Sequence, residues 1–505
     1  MIRIIDCGSQ LTQNIARRVR ELGVFSEVLP FYSNVQKVIT PDLEGIIISG
    51  GQFSVYDKNS PLYSREILTS NLPVLGICYG QQSIAHLLGG KVIPTSKREY
   101  GSTSVEIIKE SRLFEGVIDK KFTVWMSHGD IVEKMPSGFS QIAISSNNHI
   151  AAMQKENVYA VQFHPEVEHT ENGRKILNNF INICNAKRTW DPEKDYERIL
   201  EETKDKIKGK IGIGGISGGI DSTAVSVLIG KIAGNNYHPI FIDNGLLRLN
   251  ESEQVIESLK QFKLNVRHID ASSRFLSRLK GINDLDKKRE IIGYEFISVF
   301  EEASKLENAS YLVQGTLYPD VIESVPLYGS SSKIKRHHNV GGLPENMNLQ
   351  IVEPFRYMFK DEIRKIVEHK LNIPKNIIWR HPFPGPGLAV RIIGEVNPEK
   401  LTILRQVDDI FIEEIKNRDL YYKIDQAFAV LTDLRSVGVM GDEGNYQYIA
   451  GLRAVNTTEF MTADWHDFRK EDLTSIANRI INEVKGINRV VYDISQKPPA
   501  TIEWE

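Results

Sequence analysis

The sequence has few cysteines, no long hydrophobic run and almost no excess charge of either sign. Cys7, Cys78 and Cys184 are its only cysteines in 505 residues, which argues against a disulfide framework or a zinc site and for a reducing compartment. No window approaches the ~20 apolar residues that span a bilayer, and we expect no signal peptide. The 62 basic and 65 acidic residues leave a net charge of −3, which attracts neither nucleic acid nor an anionic membrane. We therefore expect a cytoplasmic protein with small-molecule substrates.

The length predicts about three domains, which we place at 1–187, 188–382 and 383–505. The first two segments alternate short apolar strands with helices, a pattern that predicts an α/β fold with two doubly wound, mostly parallel sheets in tandem. The third segment predicts a smaller α+β domain, in which Asn397-Pro398 has the residue types of a helix start.

The apolar periodicity places the individual elements. Strands are predicted at 3–6, 45–49, 74–78, 159–163, 238–243, 311–315, 426–431, 446–450 and 489–493. Helices are predicted at 12–22, 82–88 and 191–208, with two more along the apolar stripes 404–415 and 473–484.

Cys78 lies in Gly76-Ile-Cys-Tyr-Gly80, directly after an apolar strand and before a helix. Small residues two positions before and after a nucleophile are what a sharp strand-to-helix elbow needs, because larger side chains would clash there. The N-terminus of the following helix favours the thiolate form of a cysteine. We therefore predict a catalytic nucleophile here rather than a cysteine of the hydrophobic core, the alternative for any lone cysteine.

His164-Pro-Glu166 stands at the end of a later predicted strand. Side chains at positions i and i+2 of an extended chain point the same way, so Glu166 can orient the imidazole of His164 as a base for Cys78. Together these three residues resemble the catalytic triad of the class I glutamine amidotransferases.

That resemblance implies roles for four further residues. The backbone N–H groups of Gly51 and Tyr79 would form an oxyanion hole for the tetrahedral intermediate. Gln82 and Asp130 match positions that hold the substrate glutamine in this family, and Asp130 falls in a predicted turn, Ser127-His-Gly-Asp130.

A glycine-rich stretch, Ser217-Gly-Gly-Ile-Asp-Ser-Thr223, follows the strand-like run Lys210-Ile-Gly-Ile-Gly-Gly215. A turn of this kind lets backbone N–H groups converge on an anion at the start of a helix. The Walker frame fails because Ile220 and Asp221 stand where Lys and Ser/Thr are needed, and the dinucleotide fingerprint fails as well. The pattern Ser-Gly-Gly-x-Asp-Ser resembles the pyrophosphate loop of ATP pyrophosphatases. This resemblance predicts that ATP or pyrophosphate contacts seven consecutive residues: Ser217, Gly218, Gly219, Ile220, Asp221, Ser222 and Thr223.

Two later strands of the same segment end near Asp243 and Gly315. Ligands of open parallel sheets bind beyond the carboxyl ends of the strands, so a nucleotide is expected at these residues. The polar segment 317–347 has neither helical nor strand periodicity, which is typical of a functional lid or of disorder. We favour a lid because glycines flank a cluster of donors suited to phosphate charge. These donors are Lys333, Lys335, His337 and His338.

A glutaminase segment followed by a Ser-Gly-Gly-x-Asp-Ser segment resembles the GMP synthetase (glutamine-hydrolysing) family. The resemblance extends over essentially the whole chain, through Asp6-Cys-Gly-Ser-Gln10, His381-Pro-Phe-Pro-Gly-Pro-Gly-Leu388 and the tail Lys497-Pro-Pro-Ala-Thr-Ile-Glu-Trp-Glu505. It implies that ATP with Mg²⁺ adenylates xanthosine monophosphate (XMP) and releases pyrophosphate. Ammonia from glutamine would then displace AMP to give GMP.

The same resemblance implies a homodimer formed through the C-terminal domain and a tail docked at the nucleotide site. Asp221 would reach the metal ion that accompanies ATP. A tail that only caps its own domain is the alternative to docking at the substrate. The residues expected to bind XMP are Arg289, Asp442, Lys497, Ile502 and Glu503.

Other readings of the sequence belong to other classes of protein. An NAD synthetase-like or tRNA-thiolating enzyme would carry the same pyrophosphate loop, but the near-neutral charge disfavours tRNA, and the glutaminase with the Lys497 tail disfavours both. A nucleotide-sensing scaffold without catalysis is disfavoured because Cys78, His164, Glu166 and Asp221 are all present.

Overall fold

The structure of the protein is a computed structural model that describes residues 1–324, 349–440, 443–457, 460 and 462–504. Within these ranges no helix combines the length and the apolar character that a membrane crossing needs.

The described chain divides into two compact units. The first holds residues 1–195 together with 318–324, and the second holds residues 196–317 and the described residues from 349 onward. The second unit contains two of the three sheets. The three-domain division at 187/188 and 382/383 stays a prediction.

The first unit is built on a nine-stranded sheet with the order β2-β1-β3-β4-β9-β8-β7-β5-β6. The strands are β1 (Ile2–Asp6), β2 (Ser26–Pro30), β3 (Gly45–Ile48), β4 (Val74–Ile77), β5 (Lys91–Ile107), β6 (Lys121–Lys134), β7 (Ser140–Ser145), β8 (Ile150–Lys155) and β9 (Val158–Val161). The helices are α1 (Thr12–Glu21), α2 (Val35–Val38), α3 (Tyr79–Leu87) and α4 (Gly173–Ile183), and α5 (Pro192–Ile207) follows them.

Five of these strands, from β2 to β9 in the sheet order, pair in parallel, as predicted. They are short and apolar, and all four residues of β3 and of β4 are buried, which is the pattern of a parallel strand covered on both faces. The four remaining strands extend the sheet with antiparallel pairing. The α/β class is confirmed, and the antiparallel extension is a feature that the apolar periodicity did not reveal.

The second unit begins with a five-stranded sheet, ordered β12-β11-β10-β13-β14, in which every pair is parallel. Its strands are β10 (Gly212–Gly215), β11 (Tyr237–Asp243), β12 (Arg267–Asp270), β13 (Tyr311–Val313) and β14 (Gln350–Val352). The helices in this stretch of the chain are α6 (Ile220–Ala233), α7 (Glu251–Lys260), α8 (Ser272–Leu279), α9 (Leu285–Leu306), α10 (Tyr318–Ser324), α11 (Lys360–His369) and α12 (Lys375–Ile378).

The C-terminal part of the second unit is α+β, as predicted. It contains α13 (Pro398–Asn417), β15 (Gln426–Met440), β16 (Glu443–Asn456), β17 (Asp464–Trp465), α14 (Lys470–Glu483) and β18 (Ile487–Tyr492). Helix α13 starts at the predicted cap, since the side chain of Asn397 accepts a hydrogen bond from the backbone N–H of Lys400 at 2.9 Å.

One hydrophobic cluster joins the two parts of the second unit. Leu246 and Phe275, from the parallel-sheet part, pack in the same cluster as Leu404 of α13 and Ile476 of α14. The predicted boundary at 382/383 therefore falls within a continuous core.

Ile476 tests how much this cluster contributes to stability. Its side chain is fully buried, so Ile476→Ala removes apolar contacts and leaves a cavity, which we expect to cost about 2–5 kcal/mol of unfolding free energy. Urea unfolding followed by circular dichroism measures the loss. Ile494→Ala is the matched control, because Ile494 is 63% exposed and should change stability by less than about 0.5 kcal/mol. Equal effects of the two changes would contradict the assigned burial.

Candidate active sites

Cys78 sits at the predicted elbow between β4 and α3. Its backbone has φ 54° and ψ −108°, in a region that non-glycine residues rarely occupy. A hydrogen bond from its backbone N–H to the carbonyl of Val161 at 2.8 Å helps to hold this conformation. The sulfur lies 3.6 Å from the carbonyl oxygen of Ser127.

The two glycines that frame Cys78 are sterically required. A Cβ on Gly76 would lie 2.6 Å from the carbonyl oxygen of Gly80, and a Cβ on Gly80 would lie 2.5 Å from that of Ile48. Both distances are shorter than any normal carbon–oxygen contact, and both neighbours are backbone atoms that cannot turn away. The predicted reason for the glycine frame is thus present in the structure.

His164 and Glu166 form a buried hydrogen-bonded pair, with Nδ1 of His164 2.7 Å from Oε1 of Glu166. The carbonyl of His164 also accepts a hydrogen bond from the hydroxyl of Thr170 at 2.6 Å. Burial opposes a charge on the imidazole, but the nearby charges of Glu166 and Cys78 and the hydrogen bonds to both outweigh it, so the pKa of His164 is raised well above its usual value. The imidazole therefore favours the protonated form, which suits an ion pair with a thiolate.

Gly51 and Tyr79 are brought together on the same side of the elbow. A Cβ on Gly51 would lie 2.5 Å from the carbonyl oxygen of Cys7 and 3.5 Å from the ring of Tyr79. Tyr79 is the first residue of α3, and the N–H groups of the first helical turn have no partner within their own helix. This arrangement is compatible with the predicted oxyanion hole.

Gln82 and Asp130 also meet, through the side-chain amide of Gln82, which donates to the backbone carbonyl of Asp130 at 2.9 Å. The predicted turn at Ser127–Asp130 is wrong, because these residues lie within strand β6. The strand is irregular at this point, since the pairing with β5 shifts register between Pro94 and Glu99. Glycine and a short polar run suggested a turn, but β6 continues through these residues opposite a bulge in β5.

The loop between β10 and α6 makes the sharp turn that its glycines predicted. Gly218 adopts φ +76°, and a Cβ there would lie 2.7 Å from the side chain of Val255. Ser222 closes the loop, because its hydroxyl accepts from the backbone N–H of Ser217 at 3.1 Å and donates to the carbonyl of Gly219 at 3.2 Å. Helix α6 begins at Ile220, directly after the loop.

Two buried polar atoms of this loop have no hydrogen-bond partner within the described residues: Oδ1 of Asp221 and Oγ1 of Thr223. The other carboxylate oxygen of Asp221 lies 3.4 Å from the ammonium of Lys360. Among the residues that the structure describes, no group of three His, Cys, Asp or Glu side chains could hold a metal ion. A single carboxylate that shares the ion with substrate phosphates is the usual arrangement for Mg²⁺, so Asp221 fits this role.

The ends of the neighbouring strands lie beside the loop, as the sheet order requires, since β10 is flanked by β11 and β13. A Cβ on Gly315 would lie 3.4 Å from the backbone of Asp221 and Ser222, so Gly315 lines the start of α6. Asp243, at the end of β11, accepts a hydrogen bond from the backbone N–H of Gly245 at 2.8 Å.

Arg380 is a residue at this loop that the sequence did not single out. Its guanidinium donates to the carbonyl of Gly218 at 3.3 Å and forms an ion pair with Glu251. Burial, with a smaller effect from the charge of Arg248, lowers the pKa of Arg380 to about 10, so the side chain stays charged at neutral pH. In the sequence, Arg380 directly precedes the His381-Pro-Phe-Pro-Gly-Pro-Gly-Leu388 motif, and this position could have identified it as a candidate site residue.

The C-terminal tail is docked. Glu503 receives two hydrogen bonds from the fully buried guanidinium of Arg391, at 2.8 and 3.1 Å, and one from Gln426 at 2.8 Å. Ile502 packs in a small hydrophobic cluster with Phe428 and others. Burial lowers the pKa of Arg289. The negative charge of the Glu503 carboxylate opposes this effect, so the two side chains interact electrostatically.

Lys497 is held at the other end of the tail. Its backbone pairs with that of Ala463 in both directions, at 2.8 and 3.0 Å, and its ammonium donates to the carbonyl of Phe460 at 2.7 Å. The remaining predicted site residues lie outside the described residues: Lys333, Lys335, His337, His338 and Asp442.

Two families match separate parts of the chain. Glutamine amidotransferase class-I matches residues 3–184, and GMP synthase C terminal domain matches residues 413–504. The first range contains the predicted triad and the second contains the docked tail.

Curated relatives match the chain from end to end. A GMP synthase [glutamine-hydrolyzing] from Aquifex aeolicus is 51% identical over 100% of this chain and 99% of its own length. Proteins with the same name from Fusobacterium nucleatum and Brachyspira hyodysenteriae are 50% and 49% identical over the same shares of each chain. The chain therefore belongs to the family of glutamine-hydrolysing GMP synthases.

Proposed function

We propose that the chain makes GMP from XMP, ATP and glutamine, and releases AMP, pyrophosphate and glutamate. The observation that carries this proposal is that the chain matches glutamine-hydrolysing GMP synthases over its whole length. Two candidate sites support it. One centres on Cys78 at a strained elbow, and the other on a glycine-rich loop beside atoms of Asp221 and Thr223 that have no partner among the described residues.

In the first site, the thiolate of Cys78 attacks the side-chain carbonyl carbon of glutamine. The N–H groups of Gly51 and Tyr79 stabilise the resulting oxyanion. His164, held by Glu166, gives its proton to the leaving nitrogen, so ammonia departs and a thioester remains. His164 then takes a proton from water, which hydrolyses the thioester to glutamate and frees the thiolate. Gln82 and Asp130 position the substrate.

In the second site, the N–H groups of the loop and the hydroxyls of Ser217, Ser222 and Thr223 bind the β and γ phosphates of ATP. O2 of XMP attacks the α phosphorus, and pyrophosphate leaves toward the loop. Ammonia then displaces AMP from the activated purine. Asp221 would hold Mg²⁺, which neutralises phosphate charge when bound. Asp243 and Gly315 line the nucleotide site at the ends of β11 and β13.

We propose that XMP binds to residues at and near the tail, because charged side chains there are held in fixed positions. Glu503 is oriented by Arg391, and Arg289 lies in its field. Ile502 anchors the tail through its buried side chain. Asp442 completes the proposed XMP site. We propose separately that the lid residues contact phosphate charge, and these are Lys333, Lys335, His337 and His338. The cytoplasmic location stays a prediction.

The central test replaces the nucleophile. Cys78→Ala should abolish GMP formation from glutamine, because it removes the thiolate that forms the thioester, while GMP formation from ammonium salt continues. Chromatography of nucleotides with XMP, ATP, Mg²⁺ and either nitrogen donor measures both activities and distinguishes AMP from ADP.

Cys184→Ala is the matched control, since Cys184 is a buried cysteine next to Gly45 and outside the triad, and it should keep both activities. If Cys78→Ala lost the ammonia-dependent reaction as well, the separation of the two sites would be wrong. If the unaltered chain released ADP, or needed deamido-NAD in place of XMP, the proposed function itself would fail.

A second test concerns the tail. Lys497→Met removes one charge and keeps most of the side-chain volume, so the Kd for XMP, measured by calorimetry without ATP, should rise at least tenfold. Lys485→Met is the control, because Lys485 is exposed and should leave the Kd unchanged. An unchanged Kd in Lys497→Met would exclude this residue from the XMP site.

We also propose that the chain forms a homodimer through its C-terminal sheet. The hairpin of β15 and β16 exposes Val437, Val439 and Tyr446, which are 68%, 77% and 63% exposed. Val437 and Tyr446 face each other across the two strands. Adjacent exposed apolar side chains on a sheet are typical of an interaction surface.

Val437→Arg should convert such a dimer to a monomer, because a charge would be buried without a partner at the interface. Light scattering after size exclusion measures the mass. Ile118→Arg, at an isoleucine that is 89% exposed in the first unit, should not change it. A dimer that persists in Val437→Arg would place the interface elsewhere.

A further inference from the structure

A buried pair of side chains, Glu99 and His128, lies beside the proposed glutaminase site, because His128 directly follows Ser127, whose carbonyl oxygen is 3.6 Å from the sulfur of Cys78. Glu99 and His128 face each other across β5 and β6, and they are only 2% and 4% exposed. Nε2 of His128 is 2.9 Å from Oε2 of Glu99. Nothing in the proposed reaction uses either side chain directly.

Both ring nitrogens of His128 face oxygen acceptors. Nδ1 lies 3.1 Å from the backbone carbonyl oxygen of Asp130, and Nε2 faces the carboxylate of Glu99. The ring of His128 therefore lies between a carboxylate and a main-chain carbonyl, and each of these groups contacts one of its two nitrogens.

Glu99 is built to remain ionised in this buried position. Its Oε1 accepts from the hydroxyl of Ser145 at 2.7 Å and from the amide of Asn147 at 2.9 Å. Nδ1 of His149 lies 3.5 Å from its Oε2. Burial alone would raise the pKa of Glu99, but the hydrogen bonds from His128, Ser145 and Asn147 outweigh it and lower the pKa to about 2.

The backbone carbonyl of Asp130 connects the Glu99–His128 pair to Gln82, a residue of the proposed glutamine site. It accepts from Nδ1 of His128 and also from Nε2 of Gln82 at 2.9 Å. The second contact of that amide nitrogen is Oε1 of Gln162, at 3.3 Å. Both of these acceptors are oxygens, so the end of the Gln82 amide that faces them must be its nitrogen. This also fixes the position of the amide's carbonyl oxygen.

The backbone hydrogen bonds between β5 and β6 cannot by themselves fix the position of the Asp130 carbonyl. Asp130 pairs with Pro94, which has no N–H to donate, and the next pair is His128 with Glu99. Four residues of β5, 95–98, thus face the single residue Gly129. The regular ladder of hydrogen bonds is broken where the backbone must be held most accurately, so a side-chain contact takes its place.

We propose that His128 is a positioning residue for glutamine binding: held by Glu99, it fixes the carbonyl of Asp130 and through it the amide of Gln82. The proposal rests on the proposed glutaminase site. In this proposal, the contact of His128 Nδ1 with the carbonyl of Asp130 contributes to glutamine affinity. The contact of Nε2 with Glu99 contributes to the stability of the β5–β6 pair.

Two amide substitutions separate these contacts. The amide nitrogen of Asn can take the place of Nδ1, and that of the longer Gln can take the place of Nε2. We expect His128→Asn to keep the KM for glutamine within about threefold of the unaltered chain, but to lower the melting temperature of the first unit. His128→Gln should keep the melting temperature and raise the KM for glutamine at least tenfold, a loss of about 1.4 kcal/mol.

Steady-state kinetics with glutamine and with ammonium salt, at saturating XMP and ATP, provide the readout. GMP formation from ammonia should be equal in both variants, which shows that the second site is intact. A KM for glutamine that is the same in the two variants, or higher in His128→Asn, would overturn the proposal, and so would a common loss of both activities. Failure of the unaltered chain to use glutamine would instead count against the proposed function.

Discussion

Packing that leaves no room for a side chain at a strand-to-helix turn is the constraint on which both candidate sites depend. At the elbow, the Cα of Gly80 stands so close to the carbonyl of Ile48 that no Cβ fits. At the loop, Gly218 needs a positive φ and packs against Val255. Without side chains at these points, the chain can pass directly from strand into helix, and the N-terminus of a helix is the end that favours a negative charge. The chemistry differs between the sites, but the steric requirement is the same.

A second constraint is that two fully buried arginines of the C-terminal part find acceptors in the tail. Arg391 and Arg453 are both fully buried. Arg391 binds Glu503, and Arg453 donates to the carbonyls of Ser495 and Thr501 at 2.6 and 3.3 Å. A buried guanidinium without acceptors is strongly destabilising. The tail therefore supplies acceptors that these two buried arginines need. This explains how the tail can present charged groups at fixed positions.

Sequence reasoning succeeded where a local pattern has one steric solution. The elbow glycines, the loop glycines and the Asn397 cap each follow from contacts within a few residues, and so do the short apolar strands. It failed where pairing is set by distant residues. The Ser127–Asp130 run lies within strand β6 rather than in a turn, because it pairs with β5, which carries a bulge of extra residues opposite it. Arg380 and the Glu99–His128 pair were missed for the same reason, since their partners are far away in sequence.

Each candidate site keeps at least one buried polar atom that finds no hydrogen-bond partner among the described residues. At the elbow this atom is Oε2 of Glu166, although Oε1 of the same carboxylate lies 2.7 Å from Nδ1 of His164. At the loop the atoms are Oδ1 of Asp221 and Oγ1 of Thr223. A buried polar atom without a partner costs free energy of folding. In both sites this cost falls on residues that the proposed reactions use, which is where strained or incompletely paired groups are commonly found.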